Sequence, residues 1–353
     1  MNIIKVTLEV ITPMFSYGNN QNQPEFRLTE LKSLMRTTFR EVYKFKDLDD
    51  MKTKEGELFG SLENKSPIVF RVVNKVKNSD VIYQYLCLHR EDRPKVRCIN
   101  YYTKVEVELL VKDRENINTY IDILILTSIL GGIGKRSRKG LGSFKINEII
   151  YDDKKDFSNL LNCSLEETLM RIKEHNSFKY QIRDFSYNKG EFIFSEGESD
   201  MKYPYLKKIH IYKLGDEEFT EFLKKVSKIT HQRLNNKEFW KNRLSVTSYS
   251  KDILGNFIPK YKMKNEAKSI PRFASPIYVT CWEKSKNERC IIVKELNYEY
   301  ILEILYKKYK INMEKMNASS IIDYFDYMKN NENYVNEYVN KLKEILVIEE
   351  GRH

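Results

Sequence analysis

Residues 131–144 read GGIGKRSRKGLGSF, five glycines and four bases with no acid, between the strongly apolar INTYIDILILTSIL at 117–130 and a strand-like run at 141–150. The apolar segment predicts a buried helix, so the chain must pass from helix through an open, cationic bend into a strand. That order excludes two phosphate motifs, both of which run from strand to helix. A Walker A box also fails on residues, because Arg136 follows Gly134-Lys135 and Ile129 occupies the first glycine position. A dinucleotide fingerprint fails because Ser137 stands where its third glycine belongs. What remains is a loop suited to a polyanion. Glycine lets a backbone approach a ligand, and loop N–H groups join Arg and Lys in holding phosphate oxygens. The candidates are Gly132, Gly134, Lys135, Arg136, Ser137, Arg138 and Lys139. The bland reading is a solvated turn whose glycines permit a tight reversal, but a turn needs far less positive charge than this one carries.

Upstream, Ile4, Val6, Leu8 and Val10 alternate with polar residues as in a strand buried on one face, and Pro13 stops the run. Leu28, Leu31, Leu34, Met35, Thr38, Phe39 and Val42 then recur at helical spacing. Lys32, Arg36 and Arg40 stack along one side of that helix, with Glu30 and Glu41 near enough in sequence to pair with them. Residues 55–67 read as a turn-rich connection. Extended runs at 68–73, 82–88 and 105–111 follow, then the buried helix, the basic loop and its strand. This is a β-α-β-β-α-β plan with an extra hairpin, an α+β ferredoxin-like or RRM-like module. The boundary is expected near 151–155, giving modules 1–152 and 153–353. In the second, Ser164 and Glu167 form a capping box for a helix to about 177. Strands at 205–214, 275–282 and 289–295 and a helix at 216–233 make a second ferredoxin-like module, elaborated by helices near 297–309, 318–330 and 332–346.

A formal charge of +11 and a pI near 9.1 suit nucleic acid or an anionic surface as partner. Between Lys224 and Lys264 eleven bases face two acids, with Trp240 beside Arg243 among interleaved aromatics, a second candidate contact. Five cysteines without CxxC spacing indicate neither a disulfide framework nor a zinc site, so no metal or cofactor is expected. The amino terminus lacks a signal-peptide pattern, and no apolar stretch is long enough to span a bilayer. A soluble, cytoplasmic protein is the expectation.

ITPMFSYG after the first strand, LKSLMRTTFR on the first helix, EGELFGS after it and GGIGKRSRKGLGS before the last strand stand in the order seen in RAMP-superfamily CRISPR proteins. The chain most resembles the first-subunit family of the Cmr, or type III-B, effector complex. YPYLKKIHIY at 203–212 and RFASP at 272–276 resemble patches in the carboxy-terminal part of that family more loosely. Lys32-Ser33 stands where the family helix carries Arg-Gly, while Arg36 and Arg40 are kept. The resemblance implies a non-catalytic subunit beside other RAMP subunits, touching the 3′ part of the guide RNA and the 5′ part of a single-stranded target RNA. It places RNA contacts on Lys135 to Lys139 and on Lys32, Arg36 and Arg40. Tyr17 is a further candidate, for base stacking, against the commoner reading of a core aromatic.

The competing class is a metal-independent endoribonuclease that processes guide RNA. It would need a general acid or base near neutrality beside a cationic phosphate site. His89, His175, His210 and His231 stand apart from one another and from every motif above, and Asp49-Asp50 and Asp152-Asp153 read as polar loops, not as two-metal carboxylates.

Overall fold

A computed structural model describes residues 1–152, 155–175, 179–195, 203–215, 217–229, 277–285 and 288–297. The chain forms two compact units, Met1–Leu223 with Tyr278–Leu296, and Lys224–Ile277 with Asn297–His353. The elements below belong to the first, apart from the end of one helix and the first residue of one strand. Trp240, Arg243, most of the 224–264 segment and the helices expected beyond 297 lie outside the described residues.

Strand β1 (Asn2–Val10) sits at the centre of a five-stranded sheet ordered β2-β5-β1-β6-β7, where β2 is Ile68–Val72, β5 Lys104–Val111, β6 Phe144–Tyr151 and β7 Lys155–Asp156. Every pairing in it is antiparallel. Its alternation works as expected: Ile4, Val6, Leu8 and Val10 are each at most 2% exposed. They pack into one core with Leu31, Met35, Phe39 and Val42 of helix α1 (Leu28–Val42) and with most of helix α3 (Ile117–Leu130). Each such buried side chain contributes about 1.5–3 kcal/mol. The helix α3 is apolar on all sides because α1, β6 and later elements surround it.

The register puts Lys5, Thr7 and Glu9 on the opposite face, beside Glu108, Glu106 and Lys104 of β5 and Ile150, Glu148 and Lys145 of β6. Arg71 of β2 reaches Glu108 across that face. Acids and bases are matched there, so it offers a polyanion no net attraction.

The stretch expected to be a turn-rich connection from residue 55 is helical to Phe59. Helix α2 (Leu48–Phe59) starts at Asp47, whose carboxylate accepts from the N–H groups of Asp49 and Asp50, and it stops at Gly60 with φ +86°. Asp49 and Asp50 are therefore its first turn, not a polar loop. The run expected as a strand at 82–88 is shorter, β3 (Val81–Gln84), and it pairs with β4 (Val96–Ile99) in a separate hairpin.

Helix α4 (Leu165–His175) opens with the expected capping box, Glu167 N–H donating to Ser164 Oγ at 3.1 Å and the Glu167 carboxylate accepting from Ser164 N–H. A second sheet, ordered β11-β12-β10-β9-β8, comprises β8 (Phe185–Asn188), β9 (Glu191–Phe194), β10 (Leu206–Leu214), β11 (Ile277–Ser285) and β12 (Glu288–Leu296), with helix α5 (Phe219–Ile229) following β10. Its first hairpin has no counterpart among the strands expected from sequence. Lys189 (φ +44°) and Gly190 (φ +83°) form its two-residue turn, a Lys-Gly reversal between alternating aromatics.

Ion pairs tie the second sheet to helix α1 and to the first sheet. Lys294 on β12 and Glu41 on α1, each 1% exposed, meet at 2.6 Å, and the ammonium lies 4.2 Å over the Tyr278 ring. Lys145 bridges Glu9 at 3.3 Å and Glu283 of β11 at 3.0 Å.

Candidate nucleic-acid interface

The loop between α3 and β6 folds back on residues 12–16 at the end of β1. Gly142 N–H donates to Pro13 O, Ile133 N–H to Gly142 O, and Lys135 N–H to Phe15 O, at 2.9–3.1 Å. Thr12 Oγ1 donates to Gly140 O at 2.7 Å and accepts from Ser143 N–H at 3.0 Å. These contacts give two glycines a role other than the expected one. Gly134 (φ +92°) leaves only 2.7 Å between a virtual Cβ and Phe15 O, and Gly142 (φ +70°) only 1.8 Å to Ile133 O. They admit neighbouring backbone, not a ligand, and the N–H groups of Ile133, Lys135, Lys139, Gly140 and Gly142 are spent inside the protein. These five N–H groups are not available to an anion, which leaves the cationic side chains as the loop's main means of holding one.

The cations are held without being neutralised. Lys135 is exposed, its ammonium 4.8 Å over the Tyr17 ring and 3.5 Å from Gln21 Oε1. Arg138 lies 5.1 Å over the Tyr278 ring. Arg136 holds a left-handed φ of +61°, and Lys139 forms a bridge to Val279 of β11, whose N–H donates to Arg138 O at 3.0 Å. Among the described residues no carboxylate lies within ion-pair reach of any of the four. Burial and then Arg136 push the Lys139 ammonium down to about 8.

The basic side of α1 has another fate. Arg36 and Arg40 both clasp Glu55 of α2, whose side chain is 5% exposed, with Arg36 Nε at 2.6 Å and Arg40 Nη2 at 2.7 Å. Burial alone would raise the Glu55 carboxyl, but hydrogen bonds from Arg40 and Arg36 hold it below its ordinary value. Lys32 donates to Ser66 Oγ at 2.7 Å. The pairing partners suggested by sequence, Glu30 and Glu41, go instead to Arg27 and Lys294. Tyr17 is 5% exposed, with its hydroxyl donating to Arg97 O. It is a pedestal under Lys135, and its ring is not open to stack a base.

One wall of the interface was not foreseen. The β3–β4 hairpin, whose connecting loop reads HREDRPK at 89–95, packs beside the basic loop through Tyr17, Arg97 and the Met14–Ile99 bridge. His89 is not isolated: its imidazole is lowered by burial first and then by Arg136, Arg90 and Lys139. Its Nδ1 lies 3.7 Å from Cys87 Sγ. The signal in the sequence was the run HREDRPK, in which Asp92 pairs with Arg90 and Arg93 and His89 feels the charges of Arg136 and Lys139.

Residues 7–145, which carry the first sheet's central strand, both core helices and this loop, match the RAMP superfamily. Over these residues the chain is similar to RAMP-superfamily proteins. It is 28% identical over 172 residues to the CRISPR system Cmr subunit Cmr1-2 of Pyrococcus furiosus, covering 39% of this chain and 92% of that one. The crystal structure of Cmr1 from Pyrococcus furiosus, in its apo form, superposes with a TM-score of 0.50 at 18% identity, over 84% of this chain and 88% of the other. A chain of the type III-B Cmr-beta complex bound to cognate target RNA gives a TM-score of 0.47 at 11% identity, over 84% and 94%. No helix among the described residues is long and apolar enough to cross a membrane.

Proposed function

We propose that this protein is a non-catalytic, RNA-binding subunit of a cytoplasmic type III-B CRISPR effector complex, built from two ferredoxin-like modules and acting in antiviral defence. Its ligand is the 3′ part of the guide RNA, the 5′ part of a single-stranded target RNA, or both, and its protein partners are other RAMP subunits. The observation that carries the reading is the loop Lys135 to Lys139, with four cations fixed by backbone and ring contacts and unopposed by any carboxylate within reach. Such an array suits phosphates in any sequence and predicts strongly salt-dependent binding. The similarity to Cmr1-2 supports the assignment to the Cmr complex.

Anisotropy of the full chain with labelled single-stranded RNA across a salt series tests it. Changing Lys135, Arg136, Arg138 and Lys139 together to alanine should lower the log–log slope by roughly 0.7 for each phosphate-binding cation removed. An unchanged affinity and slope would remove the loop from the interface.

One observation favours the endoribonuclease alternative, the placement of His89 beside Arg136 and Lys139. That reading requires cleavage of end-labelled RNA by the purified chain in chelator and its loss in His89→Ala. Intact RNA after long incubation is the outcome expected here.

A further inference from the structure

Tyr101 and Tyr102 join β4 to β5 and are 44% and 62% exposed, rare among the aromatics of this sheet. Their rings meet edge to face at 5.2 Å with planes at 84°, and neither hydroxyl has a hydrogen-bond partner among the described residues. Tyr102 adopts φ +65°, a left-handed conformation that a bulky residue occupies only under strain and that glycine or asparagine would adopt freely. Neither the turn nor the core accounts for two tyrosines here.

Position supplies the account. Tyr102 N–H donates to Val10 O at 2.7 Å, while the next residue of the chain after β1, Ile11, donates its N–H to Ser143 O at 2.8 Å. The tyrosine turn and the glycine-rich loop thus flank the same end of β1, two strand spacings or about 10 Å apart. The charges that act on Tyr102 are Glu218 and Glu283, partly offset by their ion-pair partners Arg289 and Lys145. A pair of exposed aromatic rings beside an unopposed cationic loop has the two parts that single-stranded nucleic acid uses, phosphate contacts and a π face.

We infer that Tyr101 and Tyr102 form a stacking platform for a nucleobase of the RNA whose backbone is held by Lys135 to Lys139. This rests on the RNA-binding reading above and adds to it a residue pair that senses bases and not phosphates. The turn presents its rings outward, so one base is taken on a face and no base edge is read, which makes the contact tolerant of sequence.

The test compares the full-length wild type, Tyr101→Ala/Tyr102→Ala and Tyr101→Phe/Tyr102→Phe by anisotropy. The probes are a short oligoadenylate and a ribose-phosphate chain of the same length carrying abasic sites. Wild type should bind oligoadenylate about tenfold more tightly than the abasic chain. The alanine pair should lose that preference while keeping the wild-type salt slope and abasic affinity, and the phenylalanine pair should behave as wild type. Circular dichroism melts of all three check that they fold alike. Equal wild-type affinity for both probes, or full preference in the alanine pair, overturns the platform and leaves the phosphate-binding loop standing. An alanine pair that binds RNA as wild type does but loses other subunits in pull-down marks a protein contact and also overturns it. No binding of either probe by wild type overturns the platform together with the RNA-binding reading.

Discussion

Two cationic runs of similar size in sequence meet opposite fates. On α1, Arg36 and Arg40 converge on Glu55, and Lys32 turns to a serine hydroxyl. In the loop, Lys135, Arg136, Arg138 and Lys139 are propped on rings and backbone and face no carboxylate within reach. Spacing along the chain does not distinguish a structural cation from one available to a ligand. What distinguishes them is whether a neighbouring element brings a carboxylate, and α2, read from sequence as a turn-rich connection over the residues that include Glu55, is the element that does.

The sharpest way to probe the compensated side is its most buried pair. Lys294→Met leaves Glu41 charged and without its partner between α1 and the second sheet, and should cost about 3–5 kcal/mol in urea unfolding, whereas Lys294→Met with Glu41→Leu should recover much of it. Neither should alter the salt slope of RNA binding. Next in size is the contrast between the runs: where the fourfold loop variant lowers that slope, Arg36→Ala/Arg40→Ala should leave it within error. A slope that falls equally in both would break the comparison.

Glu55→Gln sharpens it from the other side. It removes a carboxylate that accepts from two guanidiniums and should destabilise by about 1–3 kcal/mol. Because Glu55 has a lowered folded-state pKa, its stabilisation is complete above the unfolded value of about 4.3 and is lost as pH falls through the folded value. The variant should therefore unfold with a flatter acid limb, and its freed arginines should steepen the salt slope of RNA binding. The smallest effect concerns Lys139. With its ammonium near 8, it loses charge between pH 7 and 9, so RNA affinity should fall severalfold over that range in wild type and not in Lys139→Ala. The same depressed value means that stability rises with pH from about 8 toward the ordinary lysine value near 10.4, as the unfolded chain then binds the extra proton.

Much of the first sheet was legible because periodicity is local: alternation gave β1, β2 and β5, and the 3.6-residue stripe gave α1 and the apolar run α3. Helix α2 was missed because Gly56 and Gly60 suggested turns, although Asp47 caps the helix and only Gly60 ends it. The β8–β9 hairpin was missed because a Lys-Gly turn is a weaker signal than Asn-Gly. In the candidate interface, the cations were visible, but the reason for the glycines was not. The backbone that Gly134 and Gly142 admit belongs to Phe15 and Ile133, and the first of these lies far away in sequence. His89 and the exposed tyrosines escaped for the same cause, since only tertiary pairing sets them beside the loop.

Val279 N–H holds Arg138 O, and Cys281 N–H donates to Ser143 Oγ at 3.1 Å, so residues emerging late from the ribosome fasten a bend made early. A nascent or truncated chain ending before β11 would carry the loop's charges without their final scaffold. The loop's final scaffold therefore forms only once β11 has been made.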